Sequence, residues 1–398
     1  MKRLRQVEVD PSKSNQHELN GNKGLRDILG REKLKDYPVR FIKFGGGVET
    51  EVFSEQSTVT WYDSRANQAH RSPEYRLYFT ENIVMSSSRE SDLLIVTQRP
   101  GGKIDLIVCE AHSTYENQLI WLFGISEEIG FTSYNIKNIE DHNDTEVNIL
   151  VRSILEELEI QIEEVDTEFI DQVIAPYLKK GFPKTKVFSE LARRSVAAVS
   201  PLEDPDGTLL KWMDFEEKMF RQLEKHLVEQ ELEKLYRTEK IDVDKFISFS
   251  LSVHNTRKSR VGYALENHLN ELFNVHNLKF SYNKVTENKA KPDFLFPDIK
   301  YYHDPNFPAP YLTMLGVKTT CKDRWRQVLS EAQRIDAKHL LTLEPGISEH
   351  QTSEMSEKKL KLVLPKPIHE TYNQNQKGEL MNIEEFIQLV SEKEQCAL

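Results

Sequence analysis

Four residues between positions 266 and 331 have types and spacing that could act together: Glu266, Asp293, Lys318 and Glu331. Asp293 heads a short apolar run, Phe294-Leu295-Phe296, that reads as a strand. Lys318 lies near the end of a second apolar strand spanning Tyr311 to Thr320. A lysine there is costly to bury unless an anion meets it. Glu331 comes thirteen residues after Lys318, at the margin of a helical stripe of Trp325, Val328, Leu329, Ala332 and Ile335. Glu266 has Leu269 and Phe273 as its i+3 and i+7 partners, which puts its carboxylate at the edge of a helix's buried face. Alone, Glu266 would read as a solvated glutamate. In this company, three carboxylates and one lysine can converge at one edge of a sheet. Carboxylates so placed can hold one or two Mg²⁺ ions, which activate water and neutralise developing charge on phosphorus oxygens. A nearby lysine orients the water and stabilises the transition state. The set suits metal-assisted hydrolysis of a phosphodiester.

The elements that must position these residues occupy the second half of a 398-residue chain, long enough for two domains or three. Helical periodicity runs through Val187, Leu191 and Val196, then from about Trp212 to Tyr236, with Pro201 and Pro205-Asp206-Gly207 as the break between them. A basic cluster, Asn255-Thr256-Arg257-Lys258-Ser259-Arg260, directly precedes the helix of Glu266. The first half has a different texture. Val39–Phe44, Thr58–Thr60, Tyr75–Phe79, Leu93–Val96 and Ile104–Val108 read as short strands separated by Gly, Pro and Ser clusters. The run Gly45-Gly46-Gly47 lacks the following GK[ST] of a phosphate loop. From about Val147 the pattern turns helical through Leu155, Leu158 and Ile162, then Phe169, Ile170, Val173 and Ile174. The expected organisation is a flexible arm over 1–30, a β-rich domain with a helical end over 31–180, and a catalytic domain over 181–398. The boundary is set at Lys179-Lys180-Gly181-Phe182-Pro183.

Lys and Arg total 53 against 64 Asp and Glu, a net charge of −11. That argues weakly against general polyanion binding, since basic residues can gather on one face. No run approaches the ~20 apolar residues of a membrane span, and the polar N-terminus has no signal-peptide core. Cys109, Cys321 and Cys396 are too far apart in sequence for a CxxC pair or zinc cluster. A cytoplasmic protein, away from the membrane, is the expectation.

KSRVGYALENHLNELF (258–273), KPDFLFP (291–297), YHDPNFP (302–308) and above all MLGVKTTCKDRWRQVLSEAQRI (314–335) resemble the catalytic domain of EcoRII-type restriction endonucleases. The resemblance spans roughly 180–350 and continues more loosely to the C-terminus. It implies an α/β restriction-endonuclease-like domain of the PD-(D/E)xK superfamily. The ordinary motif has an acidic residue two positions before its lysine; Gly316 stands there in this chain. The family's shifted carboxylate matches that departure. By resemblance, Asp293, Lys318 and Glu331 form the Mg²⁺ and catalytic centre, Glu266 supports it as a further metal ligand, and Tyr302 falls nearby. A tyrosine merely packed beside a Pro-rich loop is the competing reading of Tyr302. Lys322, Asp323 and Arg324 would read a CC/GG-containing palindrome in the major groove, where Arg or Lys donates to guanine and Asp accepts from cytosine, with Arg326 also at the DNA; a merely charged helix start is the competing reading. Arg257, Lys258 and Arg260 would contact phosphates or the edge of the target site, with a solvated surface cluster as the alternative.

In this family an effector DNA-binding domain, a β pseudobarrel, precedes the nuclease. The arginines Arg65, Arg71 and Arg76, interleaved with Trp61, Tyr62 and Tyr75, suit DNA contact here. A structural or dimerising β domain is the alternative. The implied partners are double-stranded DNA, a second copy of the chain related by two-fold symmetry, and a cognate DNA methyltransferase of the same restriction system. Two rivals stand beside a type II restriction endonuclease: a repair or mismatch nuclease of the same fold, and a non-cleaving sequence-specific DNA-binding protein.

Overall fold

The computed structural model describes residues 1–10, 12–13, 17–45, 52–68, 70–99, 101–125, 129–130, 155, 168–196, 199–236, 243–321 and 324–397. Gly46, Gly47 and most of the helical stretch expected from 147 to 167 lie outside the described residues, as do Lys322 and Asp323. The chain divides into two compact units, residues 1–144 with 346–349, and residues 145–345 with 350–398.

The first unit is built on one seven-stranded sheet. Its strands are β1 (Lys2–Arg3), β2 (Glu18–Gly21), β3 (Leu34–Phe44), β4 (Val52–Asp63), β5 (Tyr75–Phe79), β6 (Leu93–Gln98) and β7 (Ile104–Cys109). They lie in the order β1-β6-β7-β3-β4-β5-β2. Only β3 with β7 is parallel; the other pairings are antiparallel. The short helices are α1 (Gln6–Val9), α2 (Lys23–Leu29), α3 (Ile83–Ser86) and α4 (Thr114–Leu122). Residues 1–30 are not the expected arm. β1 pairs with β6, β2 pairs with β5, and Leu4, Leu19, Leu25 and Leu29 are buried in the same core as Phe41, Trp61 and Phe79. These elements are two to seven residues long, too short to show a period, so their burial was invisible to patterning.

The second unit combines a helical bundle with a five-stranded sheet. Its helices are α5 (Glu168–Ile174), α6 (Thr185–Ser195), α7 (Pro205–Tyr236), α8 (Val243–Val275), α9 (Ile299–His303), α10 (Trp325–Leu329), α11 (Glu349–Glu357), α12 (Gln374–Lys377) and α13 (Ile383–Ala397). Its strands are β8 (Ser281–Tyr282), β9 (Phe294–Phe296), β10 (Thr313–Val317), β11 (Lys338–Leu341) and β12 (Leu360–Val363), in the order β12-β11-β10-β9-β8. β10, β11 and β12 run parallel, whereas β8, β9 and β10 pair antiparallel. Every residue of β9 and β10 is buried, the continuous apolar texture of strands covered on both faces. Phe273 of α8 and Phe386 of α13 pack with Phe294 and Phe296, ring centroids 5.1–6.1 Å apart. A buried phenyl in such a cluster is worth about 3–5 kcal/mol over alanine.

The step Lys179–Pro183 lies inside this unit. Ile170 and Ile174 of α5 share a core with Phe188 of α6 and Met219, Phe220 and Leu223 of α7. Pro205, Asp206 and Gly207 form the first turn of α7 rather than the break before it. The basic cluster 255–260 sits in the middle of α8, not before a helix. Among the described residues, no helix is long and apolar enough to cross a membrane.

Candidate active site

Asp293 immediately precedes β9, and Lys318 immediately follows β10. The antiparallel register of those strands sets Phe294 opposite Leu315 and so brings the two polar residues to the same end of the sheet. Lys318 stays in line because its N–H donates to the Leu341 carbonyl of β11 at 2.9 Å. Its ammonium donates to Asp293 Oδ2 at 3.1 Å and to the Val317 carbonyl at 3.0 Å. Asp293 Oδ2 also accepts the Val317 N–H at 2.6 Å. Asp293 is thus fixed by the strand it faces as well as by the lysine.

Glu266 reaches the same place from α8. Its orientation follows from how α8 is locked in rotation. Asn267 Nδ2 donates to Ser189 Oγ at 3.0 Å, and His268 Nε2 lies 2.9 Å from Glu216 Oε2. Side chains on a helix are about 100° apart, so fixing positions 267 and 268 towards α6 and α7 fixes 266 too. Glu266 accepts a hydrogen bond from the Tyr282 hydroxyl of β8. Burial raises its carboxyl above the usual range; Tyr282 opposes that, and Asp293 and Lys318 are near enough to act on it with opposite signs.

Glu331 approaches from the other side. Burial pushes its carboxyl up to about 7, with Lys318 pulling it down and Asp293 pushing it up. Its Oε2 is buried and has no hydrogen-bond partner. The helix expected to carry Glu331 ends at Leu329, and Ala332 takes a positive φ of 48°. Glu331 therefore sits in the turn after α10 and not on a helix margin. Gly316 explains the missing acidic residue of the ordinary motif: a Cβ there would meet Val328 Cγ2 at 2.8 Å and Cγ1 at 2.9 Å. Glycine lets α10 lie against β10, which delivers Glu331 from outside the strand.

The structure thus brings together Asp293, Lys318, Glu266 and Glu331. Carboxylate oxygens are the donors a hard divalent cation takes, and an orphaned buried carboxylate oxygen has most to gain from one. Among the described residues no group of three or more His, Cys, Asp or Glu could hold a metal ion by itself. A cation here would rest on one or two carboxylates completed by water and substrate oxygens, the usual manner of Mg²⁺.

Tyr302 stands apart. It is buried, its hydroxyl donates to Glu287, and it accepts the Arg334 N–H at 3.3 Å. It makes no hydrogen bond to Asp293, Lys318 or Glu331 among the described residues. Tyr282 and Glu287 carried no signal in the sequence, being a tyrosine of a two-residue strand and a glutamate of a one-turn 3₁₀ segment.

Of the residues expected to meet DNA, Arg324 is exposed at the start of α10. Arg326 stacks on Trp325 at 4.6 Å and pairs with Glu354 at 2.8 Å. Arg257 is held by Glu224, with Nε 2.7 and 2.9 Å from its two oxygens. Arg260 is not a surface cation: it lies over the rings of Phe182, Phe188 and Phe220 and donates to the Pro183 carbonyl at 2.5 Å. In the first unit Arg65 and Arg76 both pair with Glu74, while Arg71 is exposed.

Residues 220–387 match the family model described as EcoRII C terminal. A search of curated proteins finds the type II restriction enzyme EcoRII of Escherichia coli, 45% identical over 185 residues, which are 46% of this chain and 45% of that protein. The chain spans less than half the length of that relative. Among solved structures, metal-depleted Ecl18kI in complex with uncleaved, modified DNA is 17% identical, with a TM-score of 0.46 over 58% of this chain and 86% of that one. The restriction endonuclease PspGI–substrate DNA complex is 15% identical, with a TM-score of 0.45 over 58% of this chain and all of the other.

Proposed function

We propose that this chain is a type II restriction endonuclease that cuts both strands of duplex DNA at a short CC/GG-containing palindrome. Cleavage would be Mg²⁺-dependent, and the first unit would serve as an effector or DNA-binding domain. The observation that carries the reading is the Asp293–Lys318 pair, 3.1 Å apart, within electrostatic reach of a glutamate whose buried Oε2 has no partner. The EcoRII-type segment supports it.

Asp293 and Glu331 would hold the ion, with Glu266 the third carboxylate at hand. When bound, the ion supplies Lewis-acid activation of water and charge neutralisation at the scissile phosphate. Lys318 has three N–H groups and spends two on Asp293 and Val317; the third is left to orient water or meet the charge growing on the phosphate. Glu331, poised by burial near neutrality, gains a counter-charge on binding a cation. A palindromic target needs one such centre per strand, hence a two-fold homodimer. The cognate methyltransferase would protect the host's own sites.

Incubating plasmid DNA with the protein and Mg²⁺ tests this. Discrete fragments that require Mg²⁺ are expected. Nicking without fixed sites would favour a repair nuclease, and intact DNA with specific retention would favour a non-cleaving binder; either result overturns the reading.

Arg324 provides a separate expectation. Exposed beside the catalytic strand, it is free to read a base edge, and a bidentate contact to guanine is worth about 1–3 kcal/mol of discrimination. Arg324→Ala should therefore lower affinity for the cut site relative to random duplex by about that amount in competition gel shifts. Equal loss on both duplexes would make it a backbone contact.

A further inference from the structure

The turn that carries Glu331 has no regular structure of its own to hold it. α10 stops at Leu329, β11 begins at Lys338, and Ala332 breaks the helical path with a positive φ. A carboxylate needed within about half an ångström of a productive position must be held by whatever pins that turn.

The Arg334 N–H donates to the Tyr302 hydroxyl, and the backbone of Gln333 hydrogen-bonds Glu287. The Tyr302 hydroxyl donates to Glu287, closing a triangle. The Arg334 guanidinium sits 5.6 Å over the Tyr302 ring and donates to the carbonyls of Tyr302, of Asp304 at 2.9 Å and of Phe307 at 2.8 Å. Lys338 Nζ, donating to the Ile335 carbonyl at 3.0 Å, ties the far end. Two consecutive residues, 333 and 334, are therefore anchored to one buried tyrosine and one glutamate, directly after Glu331-Ala332. The Tyr302 hydroxyl has its proton on Glu287 and a lone pair on Arg334, which leaves it occupied on both counts.

We propose that Glu287, Tyr302 and Arg334 form a clamp that positions Glu331, and that Tyr302 serves the reaction through this clamp and not by touching the phosphate. The inference rests on the nuclease reading above for the reaction it serves; the clamp's effect on the turn does not.

The test uses full-length Tyr302→Phe, Glu287→Gln and Arg334→Ala. Tyr302→Phe keeps the ring in its place, so it should melt near the wild type while losing both hydroxyl contacts. Three readouts are compared: hydrogen exchange of the 329–337 peptide, Mn²⁺ affinity by electron paramagnetic resonance with duplex DNA present, and plasmid cleavage. Each variant should speed exchange in that peptide and lower Mn²⁺ affinity and cleavage by about 10–100-fold, as outer-shell partners of metal ligands do. The Tyr302→Phe/Glu287→Gln double variant should be no worse than the poorer single, because both break one triangle. Unchanged exchange in Tyr302→Phe overturns the clamp. So does loss of cleavage in Tyr302→Phe alone, with Glu287→Gln and Arg334→Ala at wild-type rate, which would make Tyr302 a chemical participant. Should the wild type itself fail to cut, the nuclease reading falls while the exchange data still judge the clamp. If Arg334→Ala does not fold, the other two variants decide.

Discussion

Lys318→Ala and Asp293→Asn are expected to reduce plasmid cleavage by at least about 10²–10³-fold, the usual cost of removing one preorganised charge from a transition state. Site-specific binding in metal-free buffer should persist. The asparagine is preferred to alanine for a structural reason. Asp293 Oδ2 accepts both the Val317 N–H and the Lys318 ammonium. Alanine would leave both donors without an acceptor in a buried corner, at about 1–3 kcal/mol or more. The amide oxygen of asparagine still accepts from Val317, so the variant isolates the charge that a cation and Lys318 would use. Gel shift, melting and cleavage on the same preparations separate the cases. A folded Asp293→Asn protein that cuts at near wild-type rate would sink the assignment of the centre.

Restoring the ordinary motif should lower cleavage. Gly316→Glu puts an acidic residue two positions before Lys318, where the superfamily pattern has one. Its Cβ would stand under 3 Å from both methyls of Val328, which is itself fully buried. Relieving that overlap requires α10 to move away from β10, with an overpacking cost of about 1–3 kcal/mol. The same movement displaces the turn of Glu331. Cleavage by Gly316→Glu should fall together with its melting temperature, and Gly316→Glu/Glu331→Ala should be inactive. A double variant that cuts like the wild type would show that the carboxylate's route to the site is immaterial.

Much of the site was legible because strands announce their ends. Asp293 at the head of one continuous apolar run and Lys318 near the end of another could be placed from those runs alone, and Glu266 from its spacing to Leu269 and Phe273. Glu331 was found, but its support was misjudged. The apolar stripe of Trp325, Val328, Leu329, Ala332 and Ile335 keeps helical spacing, yet the helix ends at Leu329, Ala332 takes a positive φ, and the backbone of Gln333 and Arg334 bonds Glu287 and Tyr302 instead. Arg260 reads in the sequence as a DNA contact because its neighbours Phe182, Phe188 and Phe220 come from two other segments that no local window contains. The N-terminal elements were missed for the opposite reason: each is too short to show a period, and only their partner strands make them visible.

The ring cluster behind the catalytic strands has a consequence for how the molecule comes into being. Phe296 of β9 is backed by Phe386, and so is His339 of β11, at 5.6 and 5.2 Å between ring centroids. Phe386 belongs to α13, whose first turn is capped by Asp206 through the N–H groups of Ile383 and Glu384 at 3.0 and 3.1 Å. A nascent chain that has already exposed Asp293, Lys318 and Glu331 still has one face of their sheet uncovered. Translation at about 5–20 residues per second adds α13 several seconds later. The centre gains that support only once α13 has emerged, a built-in delay between synthesis and competence.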